Sequence, residues 1–132
     1  MTYLLDVNAL VALGFANHEF HDRVAFWIRE RSTLVLATCS ITELGFIRVL
    51  TQAPAYGLTI AQVRTLLFHM KAAEVFRFTF LTDDHDVSHL PKWVKTPKQI
   101  TDGHLVELAR ASGAMLATLD SRIPRAYLIP ET

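Results

Sequence analysis

The first eight residues, MTYLLDVN, constrain this chain more than any other stretch. Thr2 to Leu5 are apolar or strand-favouring, and the run stops on a carboxylate, Asp6, with a helix-capping residue, Asn8, just beyond. A short, continuously apolar strand of this kind suits a sheet covered on both faces. The acid that ends it falls at the sheet's carboxyl edge, where ligands bind in open α/β folds. The rest of the sequence can be read for residues that join Asp6 at that edge.

Asn8 reads as the cap of a short helix running to Phe15. Asn17 or His18 opens a second helix to about Arg31, with Phe20, Val24, Trp27 and Ile28 on one stripe. Residues 33–38 (TLVLAT) form a second strand. Thr38 or Ser40 starts a third helix, to about Thr51, and the spacing of Ser40 and Glu43 has the form of a capping box. Pro54 and Gly57 break the chain before Thr59 opens a fourth helix, with Ile60, Val63, Leu67 and Met70 facing inward. Residues 75–81 (VFRFTFL) alternate as a third strand.

Residues 82–100 are irregular. They carry Asp83, Asp84 and Asp86, with Asp84 as the cap of a short helix, and a basic cluster of Lys92, Lys95 and Lys98. Thr101 and Asp102 then open a clear helix through Ser112, which Gly113 terminates. Residues 114–119 (AMLATL) form a fourth strand that runs directly into Asp120, and residues 126–129 form a fifth. Strands separated by helices in this order predict an α/β fold. Its mainly parallel central sheet of about five strands has helices on both faces, in one domain over residues 1–132.

Four acids stand at element ends: Asp6 after the first strand, Glu43 in the first turn after the second, Asp102 at a helix start, and Asp120 after the fourth strand. Strand ends and the following helix starts share one edge of a parallel sheet, so Asp6, Glu43 and Asp120 converge by topology. Asp102 joins them only if the connection before its helix returns to that edge. Two like charges 4 Å apart repel by about 4 kcal/mol at an effective dielectric of 20. A divalent cation removes that penalty, and an all-oxygen donor set suits Mg2+ or Mn2+ rather than zinc. Each acid also has a structural reading: Glu43 in the box with Ser40, Asp102 as a helix-start charge, Asp120 as a turn residue, Asp6 as a cap.

The charge balance narrows the partners. Thirteen basic residues offset thirteen acidic ones, whereas a protein that coats nucleic acid is usually basic. Nucleic-acid contact must then be local or carried by metal ions. Cys39 is alone, which leaves no internal disulfide and no cysteine metal cluster. No apolar run approaches the roughly 20 residues of a membrane span, and Asp6 interrupts the N-terminal run before it reaches signal-peptide length. A cytoplasmic location without a membrane partner is the expectation. His85 and His89, four apart with Asp84 and Asp86 beside them, offer a zinc reading if they share a helix. Phe26 and Phe68 lie off their helices' apolar stripes, either exposed for a partner helix or part of a wider core face.

Three segments resemble a known family in order and spacing: LLDVNAL (4–10), SITELGFIRVL (40–50) and ITDGHLVELARASGAMLATLDSRI (100–123). They are similar to PIN-domain ribonucleases of the VapC toxin type, found in type II toxin–antitoxin systems. The resemblance implies a three-layer α/β/α sandwich and metal-dependent RNA endonuclease activity with Mg2+ or Mn2+. It implies an acidic quartet of Asp6, Glu43, Asp102 and Asp120, with Asn8 and Thr118 as supporting polar residues. A cognate antitoxin and a second copy of the chain are the implied protein partners. The chain departs from the family pattern at Gly103, where alanine is common, and at Ile123, where an aromatic residue is common. RNA contacts are expected from Lys92, Lys95, Lys98, Arg122 and Arg125, although most of these also read as ordinary solvated surface. Two other classes remain open: a non-catalytic PIN-like binding module, and an Asp-based phosphatase, which the asparagine at position 8 disfavours.

Overall fold

The computed structural model describes residues 1–31 and 33–132. Strand β1 (Thr2–Leu5) is central in a five-stranded sheet with β2 (Val35–Thr38), β3 (Phe78–Phe80), β4 (Ala114–Thr118) and β5 (Tyr127–Leu128). The order is β3-β2-β1-β4-β5, and every pairing is parallel. All carboxyl ends therefore lie along one edge.

Alternate side chains of β1 leave the sheet in opposite directions, as the two-residue strand period requires. Tyr3 and Leu5 join one buried cluster with residues of α1 (Val7–Gly14), α2 (His21–Arg29), α3 (Ser40–Gln52) and α4 (Ile60–Ala72). Leu4 joins a second cluster, in which Leu105, Val106, Leu108 and Ala109 of α5 (Ile100–Ala111) cover the other face. Among the described residues the result is an α/β/α sandwich with four α-helices on one face and one on the other. No helix among the described residues is long and apolar enough to cross a membrane.

Several local expectations change. Asp6, not Asn8, caps α1: its Oδ1 accepts from the Val7 N–H at 2.9 Å, and Asn8 sits inside the helix. Helix α2 begins at His21, which leaves Phe20 half exposed and outside the buried stripe of Val24, Trp27 and Ile28. Ser40 and Glu43 form no capping box; Cys39 caps α3, with its N–H donating to Thr42 Oγ1 at 3.0 Å. Asp86, rather than Asp84, caps the short 3-10 turn at Val87–His89. Ile60 is exposed although Val63, Leu67 and Met70 of its helix are buried.

Two glycines have physical reasons for their positions. Gly113 ends α5 with a φ of +72°, a conformation that costs glycine little. Gly103 lies in the first turn of α5, where a Cβ would stand 2.4 Å from Val94 Cγ2 and 3.2 Å from Pro91 Cδ. The segment before α5 packs directly on its first turn, which accounts for glycine where the family commonly has alanine. That packing also helps carry Asp102 back to the carboxyl edge.

Candidate active site

Asp6, Asp102 and Asp120 line one hollow of about 370 Å³ at the carboxyl edge, with Asn8, His18 and Val49 among its other walls. Each acid arrives on a different element. Asp6 follows β1, and its N–H still donates to the Ala117 carbonyl of β4 at 2.9 Å, so the sheet ladder carries it to the edge. Asp120 follows β4 by two residues. Asp102 comes on the first turn of α5, so the irregular connection does return to the edge.

Thr118, the last residue of β4, organises this side. Its hydroxyl donates to Asp6 Oδ2 at 2.8 Å and accepts from Asn8 Nδ2 at 3.2 Å and from the Asp120 N–H at 3.1 Å. Asn8 Oδ1 accepts from the Leu119 N–H at 3.2 Å. Asn8 is thereby tied to β4 and serves as a brace rather than as a second acid, which removes the phosphatase reading's D-x-D geometry.

The electrostatics follow from these positions. Asp6 is 7% exposed, and burial pushes its carboxyl above the usual range. The Thr118 and Val7 donors pull the other way, and the charge of Asp120 adds a smaller upward push. Asp102 is also raised, first by burial and then by the charges of Asp6 and Asp120. Asp120 is lowered because Arg122 binds it: Nε reaches Oδ1 at 3.0 Å and Nη2 reaches Oδ2 at 3.1 Å.

Glu43 stands apart. It does not line the aspartate hollow but a neighbouring one, about 310 Å³, with Leu44, Ile47, Phe68 and Phe80. Its Oε2 accepts from the Thr38 hydroxyl at 2.6 Å and is ion-paired with Lys71. Phe68 is exposed in that hollow, and Phe26 is exposed on α2, so neither belongs to a wider core face.

The donor chemistry fits a hard divalent cation. The aspartate walls offer carboxylate oxygens in a hollow where burial, and after it the charges of neighbouring aspartates, raise two carboxyls. Among the described residues, no three His, Cys, Asp or Glu side chains stand in metal-holding geometry. The aspartates therefore lie within Coulomb range of one another rather than at coordination distance. Zinc at His85 and His89 is disfavoured by their own geometry. These lie around a 3-10 turn with their rings stacked 4.2 Å apart, not on one α-helical face.

Of the basic residues, Lys98 and Arg122 line a third hollow that shares Asp102 and Asp120. Lys92, Lys95 and Arg125 are exposed and line none of these three hollows. Three neighbours of the acids escape the sequence pattern: His18, Thr38 and Lys71. Thr38 carries a usable signal, because it ends β2 as Thr118 ends β4. Lys71 carries none, being 28 residues from Glu43 along the chain. His18 lies in the turn before α2, not inside it.

Comparison with known proteins bears on the fold and the class. The family model for the PIN domain matches residues 3–128. Ribonuclease VapC38 of Mycobacterium tuberculosis is 40% identical over 124 residues, covering 91% of this chain and 86% of the relative. Ribonuclease VapC44 of the same species is 35% identical over 128 residues, covering 93% and 89%. Among solved structures, M. tuberculosis VapC20, a sarcin–ricin loop cleaving toxin, superposes with a TM-score of 0.67 at 12% identity over all of both chains. VapBC2 from Rickettsia felis, solved with a DNA fragment from its promoter, gives 0.61 at 14% identity over 97% of each chain. The two structures support the α/β/α fold, and the family match and close relatives assign the class: this chain belongs to the PIN-domain family as an endoribonuclease of the VapC type.

Proposed function

We propose that Asp6, Asp102 and Asp120, together with Glu43, hold Mg2+ or Mn2+ and that this acidic set cleaves RNA phosphodiesters. The observation that carries the reading is the convergence of three aspartates, from three elements, on one hollow, where Asp120 adds to the raising of Asp6 and both add to the raising of Asp102. A bound divalent cation supplies a polarised phosphoryl oxygen and an activated water. The chain's own residues do the positioning. Thr118 and the Val7 N–H fix both Asp6 oxygens, and Asn8 braces the end of β4 against α1. Lys98 and Arg122 line the hollow beside the acids and meet the RNA backbone. Phosphoryl transfer needs charge neutralisation and alignment rather than a covalent protein nucleophile.

In this reading the protein is the toxin of a toxin–antitoxin pair. It acts in the cytoplasm as a homodimer, and a cognate antitoxin is its protein partner. The test is to map new RNA 5′ ends after brief induced expression of wild type and of the Asp6→Asn, Asp120→Asn double variant. Discrete cuts with wild type alone are the expected result. Identical maps from two soluble, folded proteins, with RNA from the native host also uncut, overturn the assignment in favour of a binding module.

A further inference from the structure

Glu43 and the three aspartates are read as one acidic set, yet they line different hollows. The charges that raise Asp6 and Asp102 come from the aspartates themselves; Glu43 is not among them. Its carboxylate is held in a built contact. Lys71, at the end of α4, pairs with Oε2, and both side chains are mostly buried, at 24% and 20% exposure. The Thr38 hydroxyl donates to the same oxygen at 2.6 Å. The Lys71 ammonium also lies 5.5 Å from the centre of the Phe80 ring, which gives it a second reason to stay. Thr38 of β2 and Lys71 of α4, the latter backed by Phe80 of β3, thus hold the glutamate in a hollow the aspartates do not line.

We propose that Lys71 is the internal counter-ion of Glu43, keeping that carboxylate apart from the aspartates and competing with the divalent cation for it. The proposal rests on the reading that Glu43 belongs to the metal site. Its physical basis is simple. A fourth free carboxylate facing three others raises the repulsion of the metal-free protein. A lysine on a flexible stem neutralises it without the geometric lock of a bidentate arginine. An ammonium held this way is an exchangeable occupant. Lys71 is accordingly a positioning residue, acting on the metal through Glu43.

The test is Mn2+ titration calorimetry on wild type, Lys71→Met, Lys71→Arg, Glu43→Gln and the Lys71→Met, Glu43→Gln pair. Methionine keeps most of the apolar stem and removes the charge. Lys71→Met should bind Mn2+ about two- to fivefold tighter, the gain expected when an ion pair of this kind no longer competes. Lys71→Arg should stay within about twofold of wild type. In the Glu43→Gln background, Lys71→Met should change nothing. Unchanged or weaker binding by Lys71→Met, or an equal gain without Glu43, overturns the proposal. Wild-type protein provides an independent measurement if the variants fold poorly: Mg2+ titration followed by lysine-side-chain NMR. The Lys71 signal should shift and exchange faster as Mg2+ binds; a signal indifferent to saturating Mg2+ overturns the proposal. Wild type that binds no divalent cation at all overturns the metal-site reading and this proposal together, whereas normal binding untouched by Lys71→Met overturns this one alone.

Discussion

The last residue of β2 and the last residue of β4 are both threonines and both fully buried. Each donates its hydroxyl to an acid: Thr38 to Glu43 at 2.6 Å and Thr118 to Asp6 at 2.8 Å. Their remaining partners differ. The Thr118 oxygen also accepts from Asn8 and from the Asp120 N–H, so one hydroxyl ties β1, α1 and the turn after β4 together. Thr38 serves Glu43 alone, and a lysine from a distant helix completes the contact. The β4 end is held by a hydrogen-bond network that links β1, α1 and the turn after β4, with the Arg122–Asp120 pair at its exposed rim. The β2 end is held by one hydroxyl and one lysine ion pair, fewer contacts and easier to exchange.

Removing each hydroxyl is the most direct way to break this comparison. Thr118→Val leaves Asn8 Nδ2 and the Asp120 N–H without their partner and takes a donor from Asp6. Unsatisfied buried groups cost about 1–3 kcal/mol. Loss of a residue that orients a metal ligand typically costs about 10–100-fold in activity. Both effects are expected together, read by chemical denaturation and by RNA cleavage at fixed Mg2+. A Thr118→Val enzyme with wild-type cleavage would mean that the network is structural only.

Thr38→Val should do less. Glu43 loses one donor but keeps Lys71, so the expected stability loss is about 0.5–1.5 kcal/mol. Cleavage should stay within about tenfold of wild type. The same two assays decide it. If Thr38→Val proves as damaging as Thr118→Val, the two strand ends are equivalent and the exchangeable character of the β2 end is wrong.

The two ends also differ in how much of them the sequence reveals. Asp6 and Asp120 are legible because each follows a short apolar strand almost at once, and a parallel sheet then sends both to one edge. Thr118 is legible only through the family resemblance. Asp102 is half legible: its helix is plain, but the return of the connection depends on packing of Pro91 and Val94 against Gly103, which no periodicity encodes. Glu43 is legible as an acid near the edge but not in its orientation, because Lys71 is a tertiary partner. The capping-box spacing of Ser40 and Glu43 misleads, since Cys39 and Thr42 do that work one residue earlier. Of the five basic residues expected to meet RNA, Lys98 and Arg122 line a hollow with Asp102 and Asp120, while Lys92, Lys95 and Arg125 are exposed and line none of the acidic hollows.

The smallest expected effect tests whether the aspartates repel as their positions imply. Burial and the charges of Asp6 and Asp120 raise the Asp102 carboxyl above its ordinary value. The folded chain therefore keeps a proton on Asp102 to higher pH than the unfolded chain does. Stability from this group is present below the unfolded value, near 3.9, and is lost as pH rises through the raised folded one. Asp102→Asn removes that loss. Without metal, the variant's melting temperature should gain on wild type as pH climbs from about 4 to 7, by about 2 °C at the upper end because solvent screens a part-exposed group. Saturating Mg2+ should erase the gain, since a cation stabilises only the protein that retains its ligands. Parallel melting curves across this pH range, with and without Mg2+, would show that Asp102 does not sense its neighbours. The aspartate side would then be no more coupled than the Glu43 side.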